Sequence, residues 1–499
     1  MSTAEAQGVA DQLTDILDSQ EAGATAVRGS ALRVGAFIAG LLFSLAAVPF
    51  MTRHLGPVDY GLYVAATSTV LLVGGITEAG LTTLGLREIS VLQGAARRDL
   101  LSNLVGLRIA LTVFGVVAAV LITWATGADQ QIVEGIWIVG IGVLLVVIQQ
   151  TYMIPLSAQL RLGWVSAMEL LRQGALNGFF IAFVVAGTGL IAFFWAQVLA
   201  GVIVLVVTLL LVRQHASLKP SFDLAVWRRV LRETLPYAVA AAVGILYFRL
   251  AVILMSYVST GHETGIFSAA FRIVEALALI PPLLVSSLFP ILARAARDDP
   301  RRLAYALQRI FEVALIVGTG LALTLAVAAP FAIQVVAGDG FHGSIPVLRI
   351  QALTMITAFL LATWNFGLLS LKRFREIMIA NLSSATVSVV GTLALAPPLG
   401  AEGAAIATVA AEGAVALASL YYLRRVGPGF SPQAGVVPKV IVAAGAGAGI
   451  AIALPDWPSL VLAAVSGLVF AAIVLATRAL PAEMIDLIQR ARQALPGTG

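Results

Sequence analysis

The 499-residue sequence contains no cysteine, which excludes disulfides and cysteine-bound metals. Histidine is scarce too. His54, His215, His262 and His342 are scattered, and none stands at a zinc-holding spacing such as H-x3-H. Charge is in short supply: Asp, Glu, Lys and Arg make up 11% of the chain while 60% is hydrophobic, against about 25% charged in soluble domains. Mean hydropathy is +0.97. An ordinary soluble protein is thereby excluded. The sequence also lacks a GxGxxG after a strand, a P-loop and any nucleophile constellation, so neither ATP-driven transport nor enzymatic catalysis has support. No metal, cofactor or nucleic-acid partner is implied.

What remains is an all-α polytopic membrane protein. From Ser30 onward, apolar runs of about 20 residues, the length that crosses a hydrocarbon core of about 30 Å, follow one another almost without pause. They place spans at 30–52, 58–82, 100–126, 131–155, 164–186, 189–212, 234–258, 264–290, 306–336, 345–370, 375–396, 401–423, 437–454 and 458–478. That makes fourteen. Residues 1–29 lack the basic start and apolar core of a signal peptide and read as a cytoplasmic tail, either amphipathic or disordered. Residues 481–499 read as a second tail, with Met484, Ile485, Ile488 and Leu495 set against Arg490 and Arg492 along the inner membrane surface.

Loop charge tests that count, because Lys and Arg accumulate on the cytoplasmic side. With the N-terminus inside, Arg53 is the single basic residue on the outside loops, five fall within spans, and the rest of the 31 lie inside. Missing or inventing a central span would destroy this alternation. Both termini are therefore expected in the cytoplasm, in the inner membrane. The longest inside link, 214–233, carries Pro220, Trp227 and a basic cluster, and reads as a solvated linker touching anionic headgroups.

A repeat organises the chain. Met51–Ala66 (MTRHLGPVDYGLYVAA) matches Met255–Ala270 (MSYVSTGHETGIFSAA) without a gap at Met51/Met255, Asp59/Glu263, Gly61/Gly265, Leu62/Ile266, Tyr63/Phe267, Ala65/Ala269 and Ala66/Ala270. A helix–loop–helix that recurs at one place in each half is the trace of a two-lobed transporter. Chance similarity between two small-residue-rich hairpins is the competing account.

Five arginines fall within spans: Arg108, Arg172, Arg249, Arg272 and Arg349. A cation in hydrocarbon is costly, so each should face protein or a watery cavity. Arginine's planar fork stays protonated and holds phosphate oxygens in paired hydrogen bonds, so an arginine-lined cavity suits a pyrophosphate. Ion pairing is the alternative for each. Arg272 has Glu275, and Arg172 has Glu169, one turn away, whereas Arg249 has no acid within a turn. Among the buried acids Glu78, Glu275, Glu312 and Glu412, the first three are candidates for coupling to H⁺ or Na⁺ or for gating. Glu78, Glu402 and Glu412 are equally readable as interfacial or paired. Prolines at 155, 236, 281, 282, 290 and 330 can kink spans, and Pro236, Pro281 and Pro282 are the candidate hinges. Gly445, Gly447, Gly449 and the run 400–403 mark close helix packing rather than a phosphate loop.

Arg53–Ser90 (RHLGPVDYGLYVAATSTVLLVGGITEAGLTTLGLREIS) resembles the first hairpin of bacterial polysaccharide-biosynthesis membrane proteins. These are the O-antigen and repeat-unit flippases of the multidrug/oligosaccharidyl-lipid/polysaccharide (MOP) exporter superfamily. Arg232–Tyr257, Gly265–Arg294, PVLRIQAL at Pro346–Leu353 and PPLGAEGAAIATVAAE at Pro397–Glu412 resemble the later helices in order, so the likeness covers about 30–425. It implies an N-lobe over 30–213, a linker at 214–233, a C-lobe over 234–425 and added helices over 426–480, with the two lobes forming a V around a cationic cavity. It also implies alternating-access transfer of polyprenyl-pyrophosphate-linked oligosaccharide between leaflets. Members often carry an acid two residues after the arginine matching Arg249. Here that position is Ala251, which leaves Arg249 without a local neutralising charge and removes a coupling role for that acid.

The expected grip on pyrophosphate is therefore Arg249, Arg272, Arg108, Arg53, Arg172 and Arg349. The expected partners are the lipid-linked glycan, membrane lipids, and glycosyltransferases or a polymerase of the same pathway. Lipid II or multidrug export within the superfamily, and a scaffold for polysaccharide assembly, are the alternatives. An acid-lined, arginine-poor cavity would mark a cationic-drug exporter. A glycosyltransferase or polymerase would present a large outside loop, whereas the longest here is about 337–345, with Asp339 and His342.

Overall fold

A computed structural model describes residues 20–480 other than 79, 160, 214–218, 287 and 431, with backbone alone over 20–34, 36–42, 44–45, 236–248, 290 and 428. Most of the expected N-terminal tail and all of 481–499 lie outside the described residues. Within them every regular element is helical: α1 (Gln20–Glu78), α2 (Leu81–Val91), α3 (Gly94–Ala125), α4 (Gln130–Ala158), α5 (Leu162–Val185), α6 (Leu190–Val212), α7 (Leu224–Val258), α8 (Gly261–Ala278), α9 (Ile280–Ser286), α10 (Phe289–Asp298), α11 (Pro300–Val336), α12 (Ser344–Gln351), α13 (Thr354–Ser370), α14 (Phe374–Val426), α15 (Val437–Ala453) and α16 (Ser459–Ala476). Helices satisfy their own backbone groups, which hydrocarbon demands.

Among the described residues, 11 helical stretches are long and apolar enough to cross a membrane. The protein is multi-pass, and this number does not confirm the expected fourteen. Part of the difference has a physical reason. The 53 residues of α14 would run roughly 80 Å as one straight helix, against a hydrocarbon core of about 30 Å. Gly400, at φ 57°, breaks it. Its halves lie side by side, with the Ser384 hydroxyl donating to the Ala411 carbonyl at 2.8 Å. Gly56, at φ 69°, breaks α1 in the same way. Both are left-handed conformations that glycine adopts without a Cβ penalty.

The chain divides by its contacts into two units. The first ends at His54 and resumes over Thr69–Ala242; the second takes Leu55–Ser68 and everything from Val243 onward. The first thus reaches beyond the expected lobe boundary at 213, and the second claims part of the first hairpin.

In the first unit α4 and α6 pack through small residues. A Cβ at Gly142 would stand 3.0 Å from Gln197, and one at Gly201 would stand 3.1 Å from Leu145. Leu101, Leu104, Tyr152 and Ile154 build its core with Val212 and Val230. The linker, expected to be solvated, keeps most of its described side chains exposed but hands two backbone donors to α3. Ser221 N–H donates to the Ser102 carbonyl at 2.9 Å, and Asp223 N–H donates to Asn103 Oδ1 at 3.0 Å. Gly106 leaves room for the Ser221 carbonyl and the Trp227 ring. Backbone donors that would otherwise need water are satisfied by α3.

In the second unit the two copies of the repeat meet. A Cβ on Gly61 would collide with the Gly261 carbonyl, and one on Gly265 would collide with the Pro57 carbonyl. The glycines that match in sequence are the ones that let the two backbones touch. The expected span 264–290 is broken into α8, α9 and α10, where Pro281, Pro282 and Pro290 each remove a backbone donor. A second apolar core gathers Leu303, Leu307, Phe311, Trp364, Leu368 and Phe470.

Candidate functional site

In the second unit, α7 ends at Val258 and α8 begins at Gly261. Thr260 caps the new helix, its hydroxyl oxygen accepting from Glu263 N–H at 3.2 Å. At 1.5 Å per residue, Arg249 and Arg272 lie about 14 and 17 Å from this turn along their helices, so the hairpin brings them level. Both reach Glu275. Arg249 Nη2 donates to Glu275 Oε1 at 2.7 Å, and Arg272 Nη1 donates to Oε2 at 3.0 Å. Two cations and one carboxylate leave the cluster at +1. The side chains of Arg249 and Arg272 are 22% and 33% exposed while Glu275 is 15% exposed, so the positive groups are the outward ones. Buried Tyr60 lies close enough to feel both Arg272 and Glu275. A guanidinium is a planar fork of N–H donors that matches the oxygens of a carboxylate or a phosphate. The arrangement has capacity for oxyanions.

In the first unit, Arg108 on α3 is fully buried. Its Nη1 donates to Thr151 Oγ1 and its Nη2 to Thr82 Oγ1, each at 2.8 Å, and Nη2 pairs with Glu78. Glu78 and Thr82, with Gln149, Gln150, Ser166 and Glu169, wall a chamber of about 450 Å³. Arg108 stands behind that wall. Arg172 Nη2 donates to Glu169 Oε1 at 2.6 Å, and Gln173 donates to the same oxygen at 3.2 Å. The chamber's ionisable lining is thus carboxylate, with each acid backed by an arginine.

The remaining expected residues are dispersed. Arg53 is exposed beside His54, whose Nε2 lies 2.7 Å from the Thr188 carbonyl oxygen. Arg349 is exposed in the last turn of α12, where a cation suits the helix dipole. Glu312 accepts from Arg309 and Gln308, each at 2.8 Å. Pro281 is buried and Pro282 exposed at the start of α9. Pro236 sits within α7, where only backbone is described. Among the described residues no group of His, Asp and Glu could hold a metal ion.

Sequence reasoning missed Thr82, Gln149, Thr151 and Tyr60. The polar triplet Gln149-Gln150-Thr151 inside the apolar run of α4 was the available signal. It also missed the Glu263 carboxylate, which accepts from Ala401 N–H at 2.7 Å just after the Gly400 break.

The apolar helices and the charge clusters set among them are those of a multi-pass membrane protein. The structure is similar to that of the lipid II flippase MurJ in an inward closed conformation, with a TM-score of 0.72, 13% identity, and coverage of 90% of this chain and 99% of that one. An inward-facing multidrug resistance MATE family transporter of the MOP superfamily matches at a TM-score of 0.62 and 14% identity, covering 79% and 97%. The MATE multidrug transporter DinF-BH matches at 0.55 and 15%, covering 81% and 96%. At such identities the likeness is one of fold. The chain belongs to the Polysaccharide biosynthesis protein family, whose model matches residues 50–346. No curated protein sequence shows significant similarity to it.

Proposed function

We propose that this transporter is a flippase that moves a polyprenyl-pyrophosphate-linked oligosaccharide, the repeat unit of a cell-surface polysaccharide, across the cytoplasmic membrane by alternating access, with both termini inside. The observation that carries the reading is the +1 cluster of Arg249, Arg272 and Glu275 on adjacent membrane helices. In low dielectric a pyrophosphate would offer these arginines more negative charge than Glu275 does, and would compete for their donors. Of the six arginines, Arg249 and Arg272 form the grip. Arg108 positions Glu78, Arg172 positions Glu169, and Arg53 and Arg349 meet the substrate outside the cluster. Pro281 and Pro282 break the eighth span where it can flex, and Pro236 gives α7 the same freedom.

The chamber in the first unit supports a coupling role. Glu78 can exchange its partner Arg108 for a proton or Na⁺, while Glu275 and Glu312 gate through their own arginines. The same carboxylate lining supports a second reading, export of cationic compounds.

Leaflet transfer of a short-chain polyprenyl-pyrophosphate oligosaccharide in proteoliposomes tests the proposal. The native chain should transfer it, and Arg249→Ala and Arg272→Ala should lose transfer with insertion intact. Unchanged transfer in both variants would refute the grip. No transfer by the native chain, with uptake of a cationic dye instead, would favour drug export.

A further inference from the structure

The three-part helix α8–α10 does more than bend. Its broken stretch leans over the first turns of α11 and leaves a groove of about 430 Å³. Ile310, Val313 and Val317 line one side, and Leu284, Leu288 and Ile291 line the other. One end differs in character, carrying Arg302, Tyr305 and Arg309.

The charges at that end are unequally committed. Arg309 donates to Glu312 at 2.8 Å, and its guanidinium rides over the Tyr305 ring, 5.0 Å from the centroid. The neighbouring acids are engaged as well. Asp298 pairs with Arg297 at 2.7 Å, and Asp299 Oδ1 accepts from the backbone N–H groups of Arg301 and Arg302 at 3.0 and 3.1 Å as the cap of α11. Arg302 is exposed and its side chain has no ion-pair partner among the described residues. With Arg294 and Arg297, this end of the groove stays positive after Asp298 and Asp299 are counted.

Length selects the occupant. From Arg302 to Val317 the stripe runs about 22 Å along α11 at 1.5 Å per residue. One leaflet with its headgroups is about 20–22 Å deep. A polyprenyl chain would overrun such a groove, whereas one phospholipid acyl chain fills it while its headgroup sits at Arg302.

We propose that the groove between α9–α10 and α11 is a binding site for one anionic phospholipid, its phosphate on Arg302 and an acyl chain along Ile310, Val313 and Val317. The site is independent of the substrate reading. An anionic lipid is worth roughly a fivefold preference over a zwitterionic one for each arginine it meets at the surface.

Native mass spectrometry of the full chain in detergent, with dioleoyl phosphatidylglycerol and phosphatidylcholine added in equal amounts, reads this directly. The native chain should retain phosphatidylglycerol about fivefold over phosphatidylcholine. Arg302→Glu should abolish the preference, and Ala306→Trp, which fills the groove, should lower retention of both lipids. Arg301→Glu, the same charge change at a residue that does not line the groove, should keep the preference. Three outcomes would overturn the site: no preference in the native chain, equal loss in Arg301→Glu and Arg302→Glu, or displacement of phosphatidylglycerol by an equal concentration of decaprenyl phosphate.

Discussion

Glu275 accepts from Arg249 at 2.7 Å although 26 positions separate them in the chain. Arg272 donates to the other oxygen of the same carboxylate, so the charge of the cluster is set by three residues and changes stepwise with each. Arg249→Ala leaves a neutral Arg272–Glu275 pair. Transfer of pyrophosphate-linked substrate should fall about tenfold or more, the loss expected of one charge-assisted hydrogen bond. Arg249→Lys should restore it only in part, because an ammonium cannot present the planar fork.

Glu275→Gln makes the opposite change. The cluster rises to +2, so a pyrophosphate analogue should bind more tightly, and binding titrations on the purified variant would register it. A weaker affinity would show that Glu275 orients the arginines more than it neutralises them.

Glu78 and Arg108 form the more brittle pair, since Arg108 is fully buried. Glu78→Ala strands that guanidinium with two threonine hydroxyls and should cost about 3 kcal/mol, the lower end for breaking a buried ion pair. Thermal unfolding in detergent measures this. Adding Arg108→Met should recover most of the loss, because replacing a whole buried pair by apolar side chains is often neutral.

The repeat contact predicts a contrast between glycines. Gly265→Ala drives a methyl into the Pro57 carbonyl, a backbone atom that cannot swing aside, and should destabilise by about 1–3 kcal/mol. Gly445→Ala meets nothing within 4 Å and should leave the melting temperature unchanged or slightly raised.

Glu263 holds the backbone that restarts after Gly400, through Ala401 N–H. Glu263→Ala should cost about 1 kcal/mol, as loss of a helix cap does. Glu263→Gln, which keeps an accepting oxygen, should cost less.

The class was plain in the sequence, because the length and apolarity of a run are local properties. Partners across a turn were harder to see. Ala251 suggested that Arg249 would stand without a neutralising charge, yet the α7–α8 hairpin supplies Glu275 from the facing helix. Helical spacing within one span finds only neighbours three or four residues away, as with Arg172 and Glu169. Arg108 shows the same limit from the other side. Its burial follows from Thr82 and Thr151 on two other helices, and only tertiary packing unites them. In the linker, the backbone N–H groups of Ser221 and Asp223 end on α3, and the polarity of those residues does not say whether a donor meets water or a helix.

The contact between Gly61 and Gly265 also sets a timetable. At synthesis rates of about 5–20 residues per second, the roughly 200 residues between them take about 10–40 s to emerge. Throughout that interval the segment around Gly61 sits in the membrane without the partner against which it packs. Biogenesis therefore passes through an early hairpin with a bare small-residue face, open to the insertion machinery or to mispairing until α8 arrives.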